Sequence, residues 1–237
     1  MKALLIPVKN LSQAKQRLAP WLSQSDRTTL AEAMLEDFCG VVARTRGMDR
    51  IFLVSNYELA IARAEANGWE VIRESQQESE SASVDAASKF CAGQGVTSLA
   101  RVPIDLPLVT PDDIRSIFEA AQPAPSMVIA PSRSGTGTNA LVRTPPTLFP
   151  SHFGPNSFSK HIAEAKQCSS ACVILRNERI ELDIDDWEDL QVLAARADLP
   201  PAISRWIVRM GIGRAVRAAH ASAAAESASP VGAAGEK

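Results

Sequence analysis

The sequence is poor in the residues from which hydrolytic and zinc centres are most often built. It has three histidines, His152, His161 and His220, and they do not cluster, so each reads as structural or exposed. Its four cysteines are Cys39, Cys91, Cys168 and Cys172. Cys39 and Cys91 fall on expected helices and read as small core residues. Cys168 and Cys172 have a spacing that zinc tolerates, but no second Cys/His pair lies close by, which argues against a metal centre there. No Ser–His–Asp or Cys–His set is evident. Positive charge is not in surplus: the formal net charge is −2, which leaves no argument for nucleic acid. No apolar run is long enough to cross a membrane, and the apolar start, residues 3–8, is too short and too early for a signal peptide. A cytoplasmic protein without nucleic-acid or membrane partners is therefore expected. The glycine spacings of a P-loop and of a GxGxxG turn are also missing.

What is present is a chain of 237 residues, 46% of them hydrophobic, enough for one substantial core. Strands are expected at 2–8, 50–54, 70–73, 98–104, 127–130, 138–143 and 171–175, with a short extended piece at 179–182. Between them, Ser23 opens a helix with Leu30, Met34, Phe38 and Val41 as its apolar stripe. Further helices cover 57–67, 83–92 and 157–166. A last one is capped by Asp186 and turns Leu190, Leu193 and Ala197 inward. The strand–helix alternation implies an α/β fold with a mixed, mostly parallel sheet and helices on both faces; the strands at 138 and 171 lack the usual crossover, so part of the sheet is expected to be antiparallel. Residues 1–198 make the domain and 199–237 an extension. In the extension, Ile203, Ile207 and Met210 share a helical face interleaved with Arg205, Arg209, Arg214 and Arg217. This piece reads as a helix docked on its own domain or on a second subunit. The Ala/Ser-rich end after His220, with Pro230, reads as disordered.

The chain is organised around residues 101–117, RVPIDLPLVTPDDIRSI. An apolar run stops at Asp105; Leu106, Pro107 and Leu108 turn the chain; Thr110 then caps a helix, with Pro111 at its first position and Asp113 as the capping-box acid. In open α/β sheets ligands bind outside the carboxyl ends of strands, where Asp105 is expected. An Asp between Ile and Leu-Pro is costly to bury alone, so a metal or substrate role outweighs that of a turn cap.

Three groups of residues accompany Asp105. Lys9, Lys15 and Arg17 follow the first strand, either to meet phosphates or as a solvated basic loop. Asp183 and Asp185 alternate with Ile184, so both acids share one face of an extended segment and repel unless a cation or proton sits between them. Should they converge with Asp105, the three acids would suit Mg²⁺; otherwise Asp185 and Asp186 only cap the last helix. The third group is Gly135–Ala140 with Phe153–Phe158: glycine turns and a helix start at Ser157, suited to one small anion or to two ordinary turns. Cations, acids and anion nests together describe phosphoryl or nucleotidyl transfer.

At these residues the sequence resembles the 2-phospho-L-lactate guanylyltransferase family of coenzyme F-420 biosynthesis. The stretches that carry the likeness are IPVKNLSQAKQRLA, AMLEDF, PIDLPLVTPDDI, APSRSGTGTNAL, HFGPNSF and ELDIDDWEDL. The resemblance implies a GT-A-like, Rossmann-like nucleotidyltransferase that joins GMP from GTP to a small phosphorylated three-carbon acid: 2-phospho-L-lactate, phosphoenolpyruvate or 3-phospho-D-glycerate. It implies a metal, Mg²⁺, on Asp105, Asp183 and Asp185, nucleotide binding by Lys9, Lys15 and Arg17, and acceptor binding by Thr138, Gly154 and Ser157. Lys15 and Asp105 are the expected catalytic pair. Where the family has a Gly-Leu-Asn turn, this chain reads Glu80-Ser81-Ala82-Ser83-Val84-Asp85. Asp85 is expected beside the nucleotide, and the added hydroxyls favour 3-phospho-D-glycerate as acceptor. Handover of the product to the downstream deazaflavin transferase and a homodimer complete the expectation. Two other readings stand beside it: a glycosyltransferase using Asp183-Ile184-Asp185 as an Asp-x-Asp motif, and a non-catalytic GTP-binding protein with the Arg-rich tail as its contact.

Overall fold

The computed structural model describes residues 1–212. A seven-stranded sheet has the order β3-β2-β1-β4-β6-β5-β7. The strands are β1 (Lys2–Val8), β2 (Arg50–Ser55), β3 (Glu70–Arg73), β4 (Ser98–Arg101), β5 (Ser126–Pro131), β6 (Thr138–Thr144) and β7 (Ala171–Ile174). β1 pairs in parallel with β2 and β4, β2 with β3, and β5 with β7. Only β6 runs against its neighbours, β4 and β5. The antiparallel part expected from the sequence is thus confined to β6, while the strand at 171 is parallel to its partner.

Alternation along the strands sends side chains to two cores. On β1, Leu4, Ile6 and Val8 pack with α1 (Gln24–Arg44), α2 (Glu58–Ala66), α4 (Pro111–Glu119), α7 (Trp187–Ala194) and α8 (Pro201–Met210). Ala3 and Leu5 of the same strand face α3 (Glu80–Gly93). Beyond them, Met127 and Leu141 face α5 (Ser157–Gln167). Helices therefore cover both faces, and the central strands are dry, while the edge strands β3 and β7 stay partly exposed.

Local chemistry explains where elements begin. Ser23 caps α1 by accepting from Asp26 N, and Thr110 and Asp113 form a reciprocal capping box on α4. Ser79 caps α3, so that helix starts at Glu80, three residues before its expected start. β4 ends at Arg101, three residues short of the expected end, which leaves Asp105 in the turn after the strand. The piece expected to be extended at 179–182 is instead a single helical turn, α6 (Glu178–Glu181), because Asn177 Oδ1 accepts from the backbone N–H of Arg179 and Ile180. Ala197, expected inward, is exposed past the end of α7.

α8 docks on α1. Asp37 accepts from the N–H of Ala202 and Ile203 at 3.0 and 2.9 Å, and Trp206 Nε1 donates to Thr29 Oγ1 at 3.1 Å. Ile203, Trp206 and Ile207 are buried in the main core. The expectations for Arg214, Arg217, His220 and the Ala/Ser-rich end fall outside the described residues.

Candidate active site

The loop after β1 looks polar in sequence but is pinned by three buried leucines, Leu11, Leu18 and Leu22. Between them Lys15 takes a left-handed backbone conformation, φ 54°, which a lysine adopts only when its surroundings hold it there. Its Nζ lies 2.9 Å from Asp105 Oδ2 and 3.7 Å from Asp185 Oδ1. Arg17 Nη1 is 3.3 Å from the other oxygen of Asp185.

The two acidic segments are stitched together by backbone. Ile184 N donates to Asp105 O at 3.2 Å, and Ile184 itself is fully buried, so Asp183 and Asp185 on either side of it face the same cavity as Asp105. Asn139 Nδ2 donates to the carbonyls of Ile180 and Glu181 at 2.9 and 3.1 Å and to Asp183 Oδ1 at 3.1 Å. One amide thereby sets the height of the acidic segment against β6.

Charge balance in this cluster is uneven. Burial raises the Asp105 carboxyl's pKa, but the field and hydrogen bond of Lys15 outweigh it and hold the carboxyl below the ordinary range. Burial likewise lowers the Lys15 ammonium's pKa, and Asp105 and Asp185 more than reverse this. Asp185 is pushed up by burial despite Lys15. Asp183 has no cation of its own: burial and then the charge of Asp105 push it to about 6, against the Asn139 hydrogen bond. Three carboxylates thus share one buried ammonium and one exposed guanidinium, and Arg101, itself paired with Glu80, adds its field at Asp105. Among the described residues, no three His, Cys, Asp or Glu side chains are gathered tightly enough to hold a metal ion as they stand. The Lys15 ammonium lies between two of the acids instead.

Asp105, Asp183 and Asp185 line a cavity of about 750 Å³ whose other wall holds Thr138, Gly154 and Ser157. A second hollow of about 470 Å³ is lined by Pro7, Lys9 and Lys15 and shares Arg17, Arg101, Asp105 and Asp185 with the first. Lys9 is exposed there. Thr138 opens β6, Ser157 opens α5 and is almost fully buried, and Gly154 has φ 112°, a conformation that admits glycine far more readily than other residues.

Asp85 does not reach either cavity. Its Oδ1 accepts from Arg143 Nη1 at 3.1 Å, and its two oxygens accept from Ser151 N at 3.1 and 3.0 Å. Ser81 Oγ accepts from Phe153 N at 2.8 Å. Through Ser81 and Asp85 the stretch that departs from the family pattern therefore fastens, from behind, the loop that carries Gly154, while Glu80 lines both cavities. The reason is steric as well as polar: Val84 and Ala87 bury the inner face of α3, and Asp85 beside them meets Arg143 and the loop.

Two residues that line the site, Arg101 and Asn139, were not anticipated, and a third, His161, stands behind Thr138 without lining the cavity. Arg101 ends the apolar β4, donates to the carbonyls of Thr138 and Asn139 at 3.2 and 3.3 Å, pairs with Glu80, and lies 4.2 Å over the Phe153 ring. Asn139 was passed over beside Thr138. His161, read as structural or exposed, is fully buried with Nδ1 3.1 Å from Thr138 Oγ1. An arginine closing an otherwise apolar strand was the one signal available.

A family model described as guanylyl transferase CofC like matches residues 1–199. The chain is 33% identical over 186 residues to a 2-phospho-L-lactate guanylyltransferase from Methanothermobacter thermautotrophicus, covering 78% of this chain and 81% of that protein. It is 31% identical over 191 residues to a phosphoenolpyruvate guanylyltransferase from Rubrobacter xylanophilus, covering 81% of this chain and 92% of that one. In fold it is similar to a candidate nucleotide-diphospho-sugar transferase from Desulfovibrio desulfuricans, with TM-score 0.73 at 14% identity, over 91% of this chain and 97% of that one.

Proposed function

We propose, for a chain that belongs to the guanylyl transferase CofC-like family, that the joined cavities carry GMP transfer from GTP to a small phosphorylated carboxylic acid in coenzyme F-420 biosynthesis. The carrying observation is that Asp105 and Asp185, which line both cavities, meet Lys15 of the second and stand beside Asp183 of the first. A phosphate oxygen of the acceptor attacks the α-phosphorus of GTP; the new P–O bond forms as the bond to pyrophosphate breaks, and pyrophosphate leaves.

The chemistry of the donor set, three carboxylates, fits a hard divalent cation, Mg²⁺ in this reading, although they are not gathered round one as they stand. Asp183 is the argument: a carboxyl pushed to about 6 by burial and neighbouring acids lacks a positive partner, and a dication supplies one. Asp105, Asp183 and Asp185 would hold it, and when bound it neutralises charge that builds on the phosphates during transfer. Lys15, Arg17 and Lys9 face the triphosphate. The strained backbone at Lys15 and its two acidic partners fix the ammonium before substrate arrives, so no ordering cost falls on the reaction. Thr138, Gly154 and Ser157 hold the acceptor on the opposite wall.

The argument for 3-phospho-D-glycerate weakens, because Ser81 and Asp85 spend their oxygens on the 151–153 loop rather than on the cavity. The acceptor is therefore placed in the class that also holds 2-phospho-L-lactate and phosphoenolpyruvate. No helix among the described residues is long and apolar enough to cross a membrane. A cytoplasmic location, a homodimer and handover of the diphosphate product to a deazaflavin transferase belong to the same reading.

The test incubates the protein with GTP, Mg²⁺ and each of the three acids and follows pyrophosphate and the GMP adduct by mass spectrometry. An adduct with at least one acid, and no pyrophosphate without acid, is expected. GTP binding with no adduct from any of them would turn the reading towards a non-catalytic GTP binder.

A further inference from the structure

His161 is a fully buried titratable side chain outside the acidic cluster, and the reaction as described gives it nothing to do. Its hydrogen bonds settle its proton. The backbone N–H of His152 donates to Nε2 at 2.9 Å, and a backbone N–H can only donate, so Nε2 carries a lone pair. The single ring proton of the neutral imidazole is then on Nδ1. Nδ1 lies 3.1 Å from Thr138 Oγ1 and donates to it. That leaves the Thr138 hydroxyl hydrogen with no work in this pair, on a side chain that lines the larger cavity.

The surroundings keep this arrangement. Phe149 and Phe153 pack on the ring, and the charged or titratable groups that face it are Arg143, His152, Arg101 and Asp85, a mostly cationic set. Burial first, and those cations next, hold the imidazolium off until about 3. Arg101 also grips the carbonyl of Thr138, so the threonine is held at backbone and side chain together.

We propose that His161 is a positioning residue of the acceptor wall: its Nδ1–H occupies the Thr138 oxygen, so that the threonine hydroxyl hydrogen is offered to the cavity and the subsite takes an oxygen that only accepts, a carboxylate or a phosphate-ester oxyanion. This rests on the reading of that wall as the acceptor site.

Two measurements test it. Long-range ¹⁵N–¹H correlation on the free protein reports the tautomer without any substrate. Protonated Nδ1 with bare Nε2 at neutral pH is expected; the opposite tautomer, which leaves Nδ1 bare, overturns the proposal. The second is a kinetic cycle of His161→Phe, Thr138→Val and the double variant. Each single change is expected to raise the acceptor KM about tenfold, the scale of one hydrogen bond to a charged group, with the GTP KM held within about twofold. The double variant is expected to be no worse than Thr138→Val alone, because the histidine acts through the threonine. Losses that simply add, or a GTP KM that rises in step, overturn it. His161→Asn, which can keep an N–H near the Nδ1 position, is expected to recover part of the acceptor KM and covers the case in which His161→Phe folds poorly. If the wild-type protein transfers GMP to no acid, the functional reading fails while the tautomer result still stands or falls alone.

Discussion

Lys15 carries one positive charge into a place walled by three carboxylates, and that imbalance decides how single substitutions behave. Asp105→Asn keeps the shape of the side chain but removes the charge that Lys15 pairs with at 2.9 Å. Asp185 remains 3.7 Å from the ammonium, so the lysine is not left alone in the interior and the fold is expected to survive. Turnover is expected to fall by roughly a hundredfold or more, the scale of losing one preorganised charged group. Steady-state kinetics with unchanged circular dichroism checks it; retained turnover removes Asp105 from the machinery. Asp183→Asn is expected to do something less familiar. The ionised carboxylate sits among like charges with its pKa near 6, above that of an unfolded chain, so at neutral pH it destabilises the metal-free protein. The amide keeps the Asn139 contact and drops the repulsion. The variant is expected to be more stable by on the order of 1 kcal/mol in chelator, read as a higher Tm, and inactive as an enzyme. Both acids were legible in the sequence, because an apolar run that stops at an Asp and an Asp-Ile-Asp alternation leave a local mark. Asn139 and His161 were not, because each acts on a partner at least 20 positions away and nothing in its own neighbourhood differs from an ordinary core residue; Arg101 leaves one mark, a charge closing an apolar strand, but its partners lie as far off.

At the scale of elements, Asp113 is the joint between α4 and α6. It completes the Thr110 capping box, and it also accepts from Arg179 Nε and Nη2 at 2.7 and 2.6 Å and from Asn177 Nδ2 at 2.7 Å. Its carboxyl is almost fully buried and held below the usual range: burial raises it, and the Arg179, Thr110 and Asn177 hydrogen bonds together outweigh that. α6 leads directly into Asp183–Asp185, so this joint sets the acidic segment from behind. Asp113→Ala is expected to cost about 2–3 kcal/mol, one helix cap plus one charge-assisted fork discounted for the half-exposed arginine. It is also expected to lower kcat without touching a substrate. Urea unfolding and kinetics measure the two effects, with Asp112→Ala, next door but exposed and paired only with Arg115 at the surface, as the control expected to cost under about 1 kcal/mol and to leave kcat unchanged. The capping box could be read from Thr-Pro-Asp-Asp. The helical turn of α6 could not, since four residues give too little periodicity and the deciding bond comes from Asn177, outside the turn.

At the scale of the molecule, the direction of one strand makes the site. β1 has β2 on one side and β4 on the other, so the loops after β1 and β4 open at a point where the sheet reverses its order, the place where such sheets bind ligands. β6 runs antiparallel, which brings its first residue, Thr138, opposite Pro131 at the far end of β5 and thus to the same rim. A parallel β6 would put Thr138 and Asn139 at the opposite edge. Strand periodicity carries no information about direction, so the alternation of elements gave the fold class while the meeting of acceptor wall and acids came only with the topology. The same assembly buries His161 under the rim, and this has a consequence for the whole fold in acid. An unfolded histidine takes its proton near pH 6.5, whereas this one resists until about 3. Between those values the unfolded chain binds more protons than the folded one, so stability falls as pH is lowered, by up to about 1.4 kcal/mol per pH unit from this residue. Asp105 and Asp113, held below the unfolded carboxyl range, add their own loss further down. Urea unfolding of the wild type and of His161→Phe at pH 7.5 and 5 isolates the histidine. The variant is expected to lose about 2 kcal/mol less than the wild type over that interval. An equal loss in both would mean that the ring takes up its proton in the folded state, and that the His152 N–H contact on Nε2, from which the tautomer is read, is absent.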